Sequence, residues 1–192
     1  MSGGTQGEPN RANVLSAFER IRASSGDTDT VAVLLAGHGE NWEGGRYHFL
    51  PTNFERTVKT DIGKHVIDWE RDIQPAIAGA RGRKLLFLDA CHSGNAYNRT
   101  LLASAETDRF VAFSAARADE EALGFKKDGH GVFTHMLIEG LKGDPDALER
   151  LEKGVTVYTL AIFVNLKVRE RTQGKQTPEF RSGQGSFVLA RE

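Results

Sequence analysis

The sequence predicts an α/β fold, with a mostly parallel central sheet covered by helices on both faces. Two observations carry this prediction. Short apolar runs of strand type alternate along the chain with longer segments whose apolar residues recur at helical spacing, which is the pattern of a buried parallel sheet. The chain has 192 residues and no internal repeat, a length that fits one domain with a sizeable core.

Helical spacing of apolar residues marks four segments. The first ends at Ser24-Ser25-Gly26-Asp27, and the second contains Pro75, which is expected to break or kink it. The last and longest begins at a threonine that can act as its N-cap. The predicted helices span residues 8–23, 62–80, Gly131–Leu141 and Thr156–Arg169.

Five apolar runs are typical of strands, and the polar or glycine-rich stretches between them are typical of loops. Residues Gly39–Arg46 are predicted to be a glycine-rich loop, residues 92–108 a long loop or short helix, and residues 144–151 a further turn. The predicted strands are Thr30–Ala36, Tyr47–Leu50, Lys84–Asp89, Phe110–Ser114 and Ser186–Ala190.

The composition excludes several classes of protein. The net charge is -1 and the basic residues form no stripe, so nucleic acid is not an expected partner. No apolar run reaches the roughly 18 residues of a membrane span, and the N-terminus does not resemble a signal peptide. A single cysteine excludes an internal disulfide and suggests a reducing compartment. We expect a cytoplasmic protein.

The most informative segments are two turns that each follow a buried strand. The strand Thr30–Ala36 leads into Gly37-His38-Gly39, and the strand Lys84–Asp89 leads into Ala90-Cys91-His92. Cys91 is the chain's only cysteine and lies 53 positions after His38. Ligands gather at the carboxyl ends of strands in open α/β sheets, and neighbouring strands lie about 5 Å apart. If these strands are neighbours, Cys91 and His38 form a nucleophile and base, with the N–H groups of Gly39 and Cys91 as oxyanion donors.

A plainer interpretation stands beside this one, because a lone buried cysteine is more often an inert small hydrophobe. His92 adjoins the cysteine and is interpreted as structural. The other four histidines have no cysteine or histidine partners at metal-ligand spacing, so no metal site is predicted. These are His48, His65, His130 and His135.

Four motifs, in order, resemble the caspase superfamily (peptidase family C14), and most closely its bacterial, metacaspase-related peptidases. They extend across nearly the whole chain, and the resemblance implies a three-layer caspase-haemoglobinase-like fold and a cysteine endopeptidase with Cys91 as nucleophile and His38 as base. The motifs are Ala36-Gly37-His38-Gly39, Asp89-Ala90-Cys91-His92-Ser93-Gly94, Gly131-Val132-Phe133-Thr134 and Gln176-Thr177-Pro178.

The resemblance also implies a specificity. Metacaspase-like enzymes carry Asp two positions before the cysteine and cleave after Arg or Lys, and this chain has Asp89 there. A carboxylate at a pocket floor attracts a guanidinium or ammonium, and Arg can pair with it through two hydrogen bonds. The expected S1 pocket consists of Asp89, Ala36 and Ser114, with protein or peptide substrates that are basic at P1. Alternatively, Asp89 only braces the turn through backbone N–H groups.

The chain departs from the family in three ways. The strands that precede the first helix in relatives are absent, so residues 31–36 would form an exposed apolar edge, for which we expect pairing with another chain or a distorted edge. Ala36 replaces the usual serine, which removes one pocket hydroxyl. Asn53 stands where calcium-dependent relatives carry Asp, so no cofactor is expected and calcium dependence is doubtful.

The resemblance divides the chain further. Residues 1–8 are predicted to be disordered or a remnant of the expression vector, and residues 9–192 to be an N-terminally incomplete peptidase domain. Its large-subunit-like part extends to about residue 100 and its small-subunit-like part begins at about residue 109. Relatives are often cut between these parts. The basic candidates for self-cleavage there are Arg99 and Arg109, and the pair Lys126-Lys127 lies further along the chain.

The leading hypothesis is therefore a Cys–His endopeptidase that cleaves after Arg or Lys and processes itself. One alternative is a catalytically silent caspase-like scaffold or regulatory partner that retains the dyad but lacks a complete pocket. Another is a hydrolase of the same fold with a different bond specificity.

Overall fold

The computed structural model describes residues 7–42, 46–55, 61–96, 110–124, 130–144, 148–149, 154–183 and 186–191. Its central sheet has six strands in the order β3-β2-β1-β4-β5-β8. Strands β1, β4 and β5 are mutually parallel, whereas β2, β3 and β8 join the sheet in antiparallel pairs. The strands are β1 (Thr30–Trp42), β2 (Arg46–Leu50), β3 (Ile67–Asp68), β4 (Arg83–Ala90), β5 (Phe110–Ser114) and β8 (Glu179–Ser182).

Helices cover both faces of this sheet, as the sequence predicts. One face packs against α1 (Arg11–Ser24) and α2 (Gln74–Ala78), and the other against α3 (Val132–Leu141) and α4 (Val157–Arg171). The strand β4 contributes to both cores, because Leu86 and Leu88 face the first pair of helices while Leu85 and Phe87 face the second. The three-layer α/β fold is thus confirmed. None of the described helices has the length and apolar character needed to cross a membrane.

Strand β1 is longer than predicted and changes its partner along its length. Residues 30–37 pair in parallel with β4, and residues 38–42 pair in antiparallel fashion with β2. The prediction of a loop from residue 39 onward was wrong for Gly39–Trp42, because pairing with β2 extends the strand. Over residues 30–37, β1 has no second partner strand among the described residues, and Leu34 is 51% exposed there. The apolar edge expected from the sequence is therefore present in the described part of the chain.

Most of the predicted helix over residues 62–80 adopts other secondary structure. A short 3₁₀ turn (Ile62–Lys64), strand β3 and a π-helical turn (Trp69–Ile73) precede α2. The apolar residues that suggested one helical face do become buried, including Trp69 and Ile73, but Ile67 and Asp68 pair with β2 instead of continuing a helix. Pro75 lies in the first turn of α2, where a missing N–H costs little.

Two C-terminal segments form strands that belong to different sheets, which the sequence did not predict. The predicted last strand is β9 (Val188–Arg191), which belongs to a small antiparallel sheet with β6 (Leu148–Glu149) and β7 (Gly154–Thr156), not to the central sheet. The central sheet is instead completed by β8, which pairs with β5. Both sheets border α4, whose N-cap Thr156 forms a reciprocal capping box with Thr159.

The N-terminus of α3 lies against the carboxyl end of β4. Its N-cap residue, Gly131, has no side chain, and Asp89 takes over the capping function: Asp89 Oδ2 accepts hydrogen bonds from the Thr134 backbone N–H at 3.2 Å and from the Thr134 hydroxyl. A Cβ atom at position 131 would lie 2.4 Å from that same oxygen. The glycine therefore provides the space in which the carboxylate caps the helix.

We expect Gly131→Ala to lower the free energy of unfolding by about 1–3 kcal/mol, because the added methyl group must displace Asp89 or shift α3. Urea denaturation measures the change. Gly124 is the matched control, since it forms a β-bridge with Gly131 and a Cβ atom there would have no neighbour within 4 Å. Equal stabilities of Gly131→Ala and Gly124→Ala would contradict this account.

Candidate functional site

The pairing of β1 with β4 brings the two predicted turns together. Gly37 is opposite Ala90, so His38 and Cys91 are the next residues along two adjacent parallel strands. His38 was predicted to follow the end of a strand. It lies instead within β1, at the residue where β1 changes its partner from β4 to β2. The change of partner leaves His38 at the edge where β4 ends and Cys91 begins a turn.

The two side chains are differently placed. Cys91 is partly buried, and its Sγ lies 3.9 Å from the Ala122 carbonyl oxygen, to which the thiol donates. The His38 side chain is exposed and makes no hydrogen bond to any described residue. In this arrangement the Cys91 thiol is directed toward residue 122 and is not hydrogen-bonded to His38.

Tyr47 lies close to both the histidine turn and the cysteine turn. Its hydroxyl donates a hydrogen bond of 2.8 Å to the Cys91 carbonyl oxygen, and its ring is 2% exposed. Burial, together with the nearby Cys91, raises the pKa of Tyr47, so the phenol stays a neutral donor. A Cβ atom at Gly39 would lie 2.6 Å from the Cys91 carbonyl oxygen and closer still to the Tyr47 hydroxyl. Glycine at position 39 thus allows the histidine turn to approach the cysteine turn closely.

His92 has the structural role that the sequence suggested. Its φ of 56° is left-handed, a conformation uncommon for a residue with a side chain. Its backbone N–H donates to the Glu120 carbonyl, and its Nδ1 lies 3.1 Å from the Ala118 carbonyl oxygen. Asn95 also donates to Ala118, at 2.8 Å. These bonds attach the turn after Cys91 to residues 118–120, and they hold it in its unusual conformation.

Asp89 borders a cavity of about 570 Å³ on the α3 side of the sheet. Its carboxylate is buried, which raises the pKa of Asp89; the two bonds from Thr134 and a nearby charge on His130 act in the opposite direction. Since Oδ2 is occupied by Thr134 and Oδ1 has no donor among the described residues, one oxygen remains for a ligand. The cavity is lined by Leu34, Ala36, Gly37, Asp89, Ala122, Leu123, Gly124, His130, Gly131 and Thr134.

The structure brings two of the three predicted pocket residues to this cavity. Ala36 and Asp89 line it, whereas Ser114 is fully buried at the end of β5, its hydroxyl has no partner, and it does not line the cavity. The acidic residues Asp119, Glu120 and Glu121 follow β5. Glu120 Oε2 accepts hydrogen bonds from the backbone N–H groups of Arg117 and Thr177, which hold this loop, and Glu120 does not line the cavity.

Two further lining residues, His130 and Leu34, were not predicted from the sequence. His130 precedes the third motif, but only the packing of α3 against β4 brings it to Asp89. Leu34 could have been found, because it is two residues before Ala36 on a strand and so shares its face. The wall formed by Leu123 is fixed by its N–H bond to the buried Gln176 side chain and by its carbonyl bond to Val132.

A second, apolar cavity of about 280 Å³ lies on the opposite side of β1. It separates α1 from the open edge of β1 and reaches His38. Its walls include Val14, Phe18 and Ile21 of α1 and Val33 and Leu35 of β1.

The predicted self-cleavage residues Arg99, Arg109, Lys126 and Lys127 lie outside the described residues. Within the described part of the chain, no group of three or more His, Cys, Asp or Glu side chains could hold a metal ion.

Comparison with known proteins finds the same fold in solved structures. The chain resembles protein GSU0716 from Geobacter sulfurreducens, with a TM-score of 0.58, 18% sequence identity and coverage of 92% of this chain and 75% of that one. It also resembles caspase-1 from Spodoptera frugiperda, with a TM-score of 0.57, 18% identity and coverage of 94% and 73%. No curated protein matches. The family model of the caspase domain matches residues 5–186, and the chain therefore belongs to the caspase-domain family of peptidases, family C14.

Proposed function

We propose that this protein is a cysteine endopeptidase that cleaves peptide bonds after Arg or Lys. The observation that carries the proposal is the register of β1 and β4, which makes His38 and Cys91 neighbours beside a cavity with a carboxylate at its floor. Membership of the caspase-domain family supports the class of reaction.

The chemistry proceeds by acyl transfer. Cys91 Sγ loses its proton to His38 and attacks the scissile carbonyl carbon, while the N–H groups of Gly39 and Cys91 stabilise the oxyanion. His38 then donates the proton to the leaving amine, and finally removes a proton from the water that hydrolyses the thioester. No carboxylate or amide contacts His38 among the described residues, so a dyad rather than a triad is proposed.

Charge and shape support a basic side chain at P1. The apolar walls Leu34, Ala36 and Leu123 suit an aliphatic stem, and Asp89 Oδ1 at the floor suits a cationic end. The substrate's carbonyl carbon would lie near Cys91, two residues from Asp89 along the chain.

One observation favours a silent scaffold as the alternative. The Cys91 thiol is directed at the Ala122 carbonyl and is not hydrogen-bonded to His38. Directed in this way, the thiol does not contact the base that would activate it as a nucleophile.

We expect the wild-type protein to hydrolyse fluorogenic peptides that end in Arg or Lys, with and without calcium, and not peptides that end in Asp. Cys91→Ala should reduce hydrolysis to background. Asp89→Asn should reduce kcat/KM for both basic peptides about 100-fold, since a buried charge partner is lost. Circular dichroism controls for the helix-capping role of Asp89.

Cleavage after Asp would contradict the role of Asp89. Silence on every peptide, together with alkylation of Cys91 by iodoacetamide no faster than that of a free cysteine, would favour the scaffold.

Self-processing is proposed for the segment between the two subunit-like parts. The wild-type chain should split on storage, whereas Cys91→Ala and the quadruple variant Arg99→Ala, Arg109→Ala, Lys126→Ala, Lys127→Ala should stay intact by mass spectrometry. A quadruple variant that splits at the same place as the wild type would refute basic self-cleavage.

A strand of another polypeptide is proposed to complete the sheet at residues 30–37 of β1. The open edge has an apolar cavity on one face and the exposed Leu34 on the other. The occupant is therefore an extended segment with apolar side chains on both faces, like other central strands.

We expect a lysine-flanked peptide with a core of Val, Leu and Ile to bind this edge in fluorescence anisotropy, and a peptide with Ser at alternate core positions to bind more weakly. Leu34→Lys should abolish binding, because a charge at an edge blocks strand pairing. Leu166→Lys is the control, since Leu166 is similarly exposed but lies on α4. Equal effects of the two substitutions, or protein self-association in place of peptide binding, would contradict the proposed occupant.

A further inference from the structure

The cavity that contains Asp89 holds a second titratable group. His130 lies directly before Gly131, the N-cap of α3, and lines the same cavity. Its Nδ1 is buried and has no hydrogen-bond partner. A buried polar atom without a partner is costly. Because Nδ1 has almost no accessible surface, it can accept a hydrogen bond from a ligand in the cavity only after the His130 ring turns toward that ligand.

We propose that His130 is a specificity-determining residue, whose neutral ring accepts a hydrogen bond through Nδ1 from the cationic side chain that Asp89 binds. Protonation of the ring then excludes that side chain. This inference rests on the proposed basic pocket and adds to it a second acceptor and a dependence on pH.

The first argument concerns the number of acceptors. A guanidinium has five N–H donors and an ammonium has three. Asp89 offers only Oδ1, because Thr134 already occupies Oδ2 with two hydrogen bonds. A second acceptor on the cavity wall therefore satisfies a donor that Asp89 leaves unpaired, and His130 Nδ1 is the unpartnered atom in that wall.

The second argument concerns charge. A protonated imidazole has two donors and no acceptor, so it gives a bound cation no hydrogen bond. Its positive charge is also close enough to lower the pKa of Asp89, in opposition to the effect of burial. Protonated His130 thus competes with a cationic ligand for Asp89 and repels that ligand.

The titratable groups that face His130 from the described elements are Asp89 on β4 and His135 on α3, whose ring centroid is 5.6 Å from that of His130. The other lining residues are uncharged. Protonation of Asp89, whose pKa is raised by burial, would also weaken cation binding at low pH. The test must separate these groups.

Binding of n-butylguanidine to Cys91→Ala, measured by calorimetry, avoids any contribution from catalysis. We expect binding to be about tenfold weaker at about pH 5.5 than at about pH 8, because a protonated ring has no acceptor and carries a positive charge. His130→Gln keeps a neutral acceptor and should bind at both pH values with most of this difference removed. His130→Leu removes the acceptor without adding charge, and it should bind the ligand more weakly than His130→Gln at both pH values.

His135→Gln is the matched control and should keep the full pH dependence. If His130→Gln also keeps it, another group titrates and the inference is overturned. If the ligand binds, depends on Asp89 and is insensitive to both His130 variants, the basic pocket stands and only the role of His130 fails. If the Cys91→Ala protein does not bind the ligand at pH 8, the basic pocket and the role of His130 both fail.

Discussion

The parallel pairing of β1 with β4 is the constraint on which the rest of the site depends. Eight consecutive residue pairs, ending with Gly37 opposite Ala90, fix the register. Because β4 buries Leu86 and Leu88 on one face and Leu85 and Phe87 on the other, a slip of one residue would exchange the two cores and place Asp89 among apolar side chains. Burial of the sheet thus fixes the relative position of His38 and Cys91.

The end of this pairing is as important as the pairing itself. Beyond Gly37, whose φ is +153°, β1 leaves β4 and pairs with β2. The β1–β2 hairpin brings Tyr47 next to Cys91, and the Tyr47 hydroxyl donates a hydrogen bond to the Cys91 carbonyl oxygen. Tyr47 is therefore a positioning residue in the proposed peptidase. A Cβ atom at position 39 would collide with the Tyr47 hydroxyl and the Cys91 carbonyl oxygen, which explains why a glycine follows His38.

Most of the layered fold could be predicted from the sequence, because apolar runs such as Lys84–Asp89 and Phe110–Ser114 report burial directly. The elements that were missed depend on tertiary pairing. Ile67 and Asp68 lie in a segment whose apolar residues have helical spacing, but they pair with β2 as a strand. Gly39–Trp42 forms a strand because it pairs with β2. Strand β8 is half-exposed and short, so its apolar signal is weak, whereas Ser186–Ala190 has the stronger pattern but joins the smaller sheet.

The same distinction applies to the site. His38, Cys91 and Asp89 each follow or end a recognisable strand, so sequence motifs reached them. Ser114 was assigned to the pocket by resemblance, yet it is buried away from the cavity, and His130 was dismissed because it lacks metal-ligand spacing. Pairing of β5 with β4 places Ser114 opposite Leu88, whereas His130 reaches the cavity because it precedes α3, which lies beside Asp89. No local pattern in the sequence encodes these contacts.

Asp89 finally joins two interpretations that the sequence presented as alternatives. Its Oδ2 braces the structure by capping α3 through Thr134, and its Oδ1 has no donor among the described residues. A carboxylate held in this way does not offer the two free oxygens that a bidentate guanidinium pair requires. In the proposed peptidase, Asp89 alone would attract Arg and Lys by charge with little discrimination between them. Any preference between the two must then arise from other groups on the cavity wall, and His130 is the unpartnered polar group there.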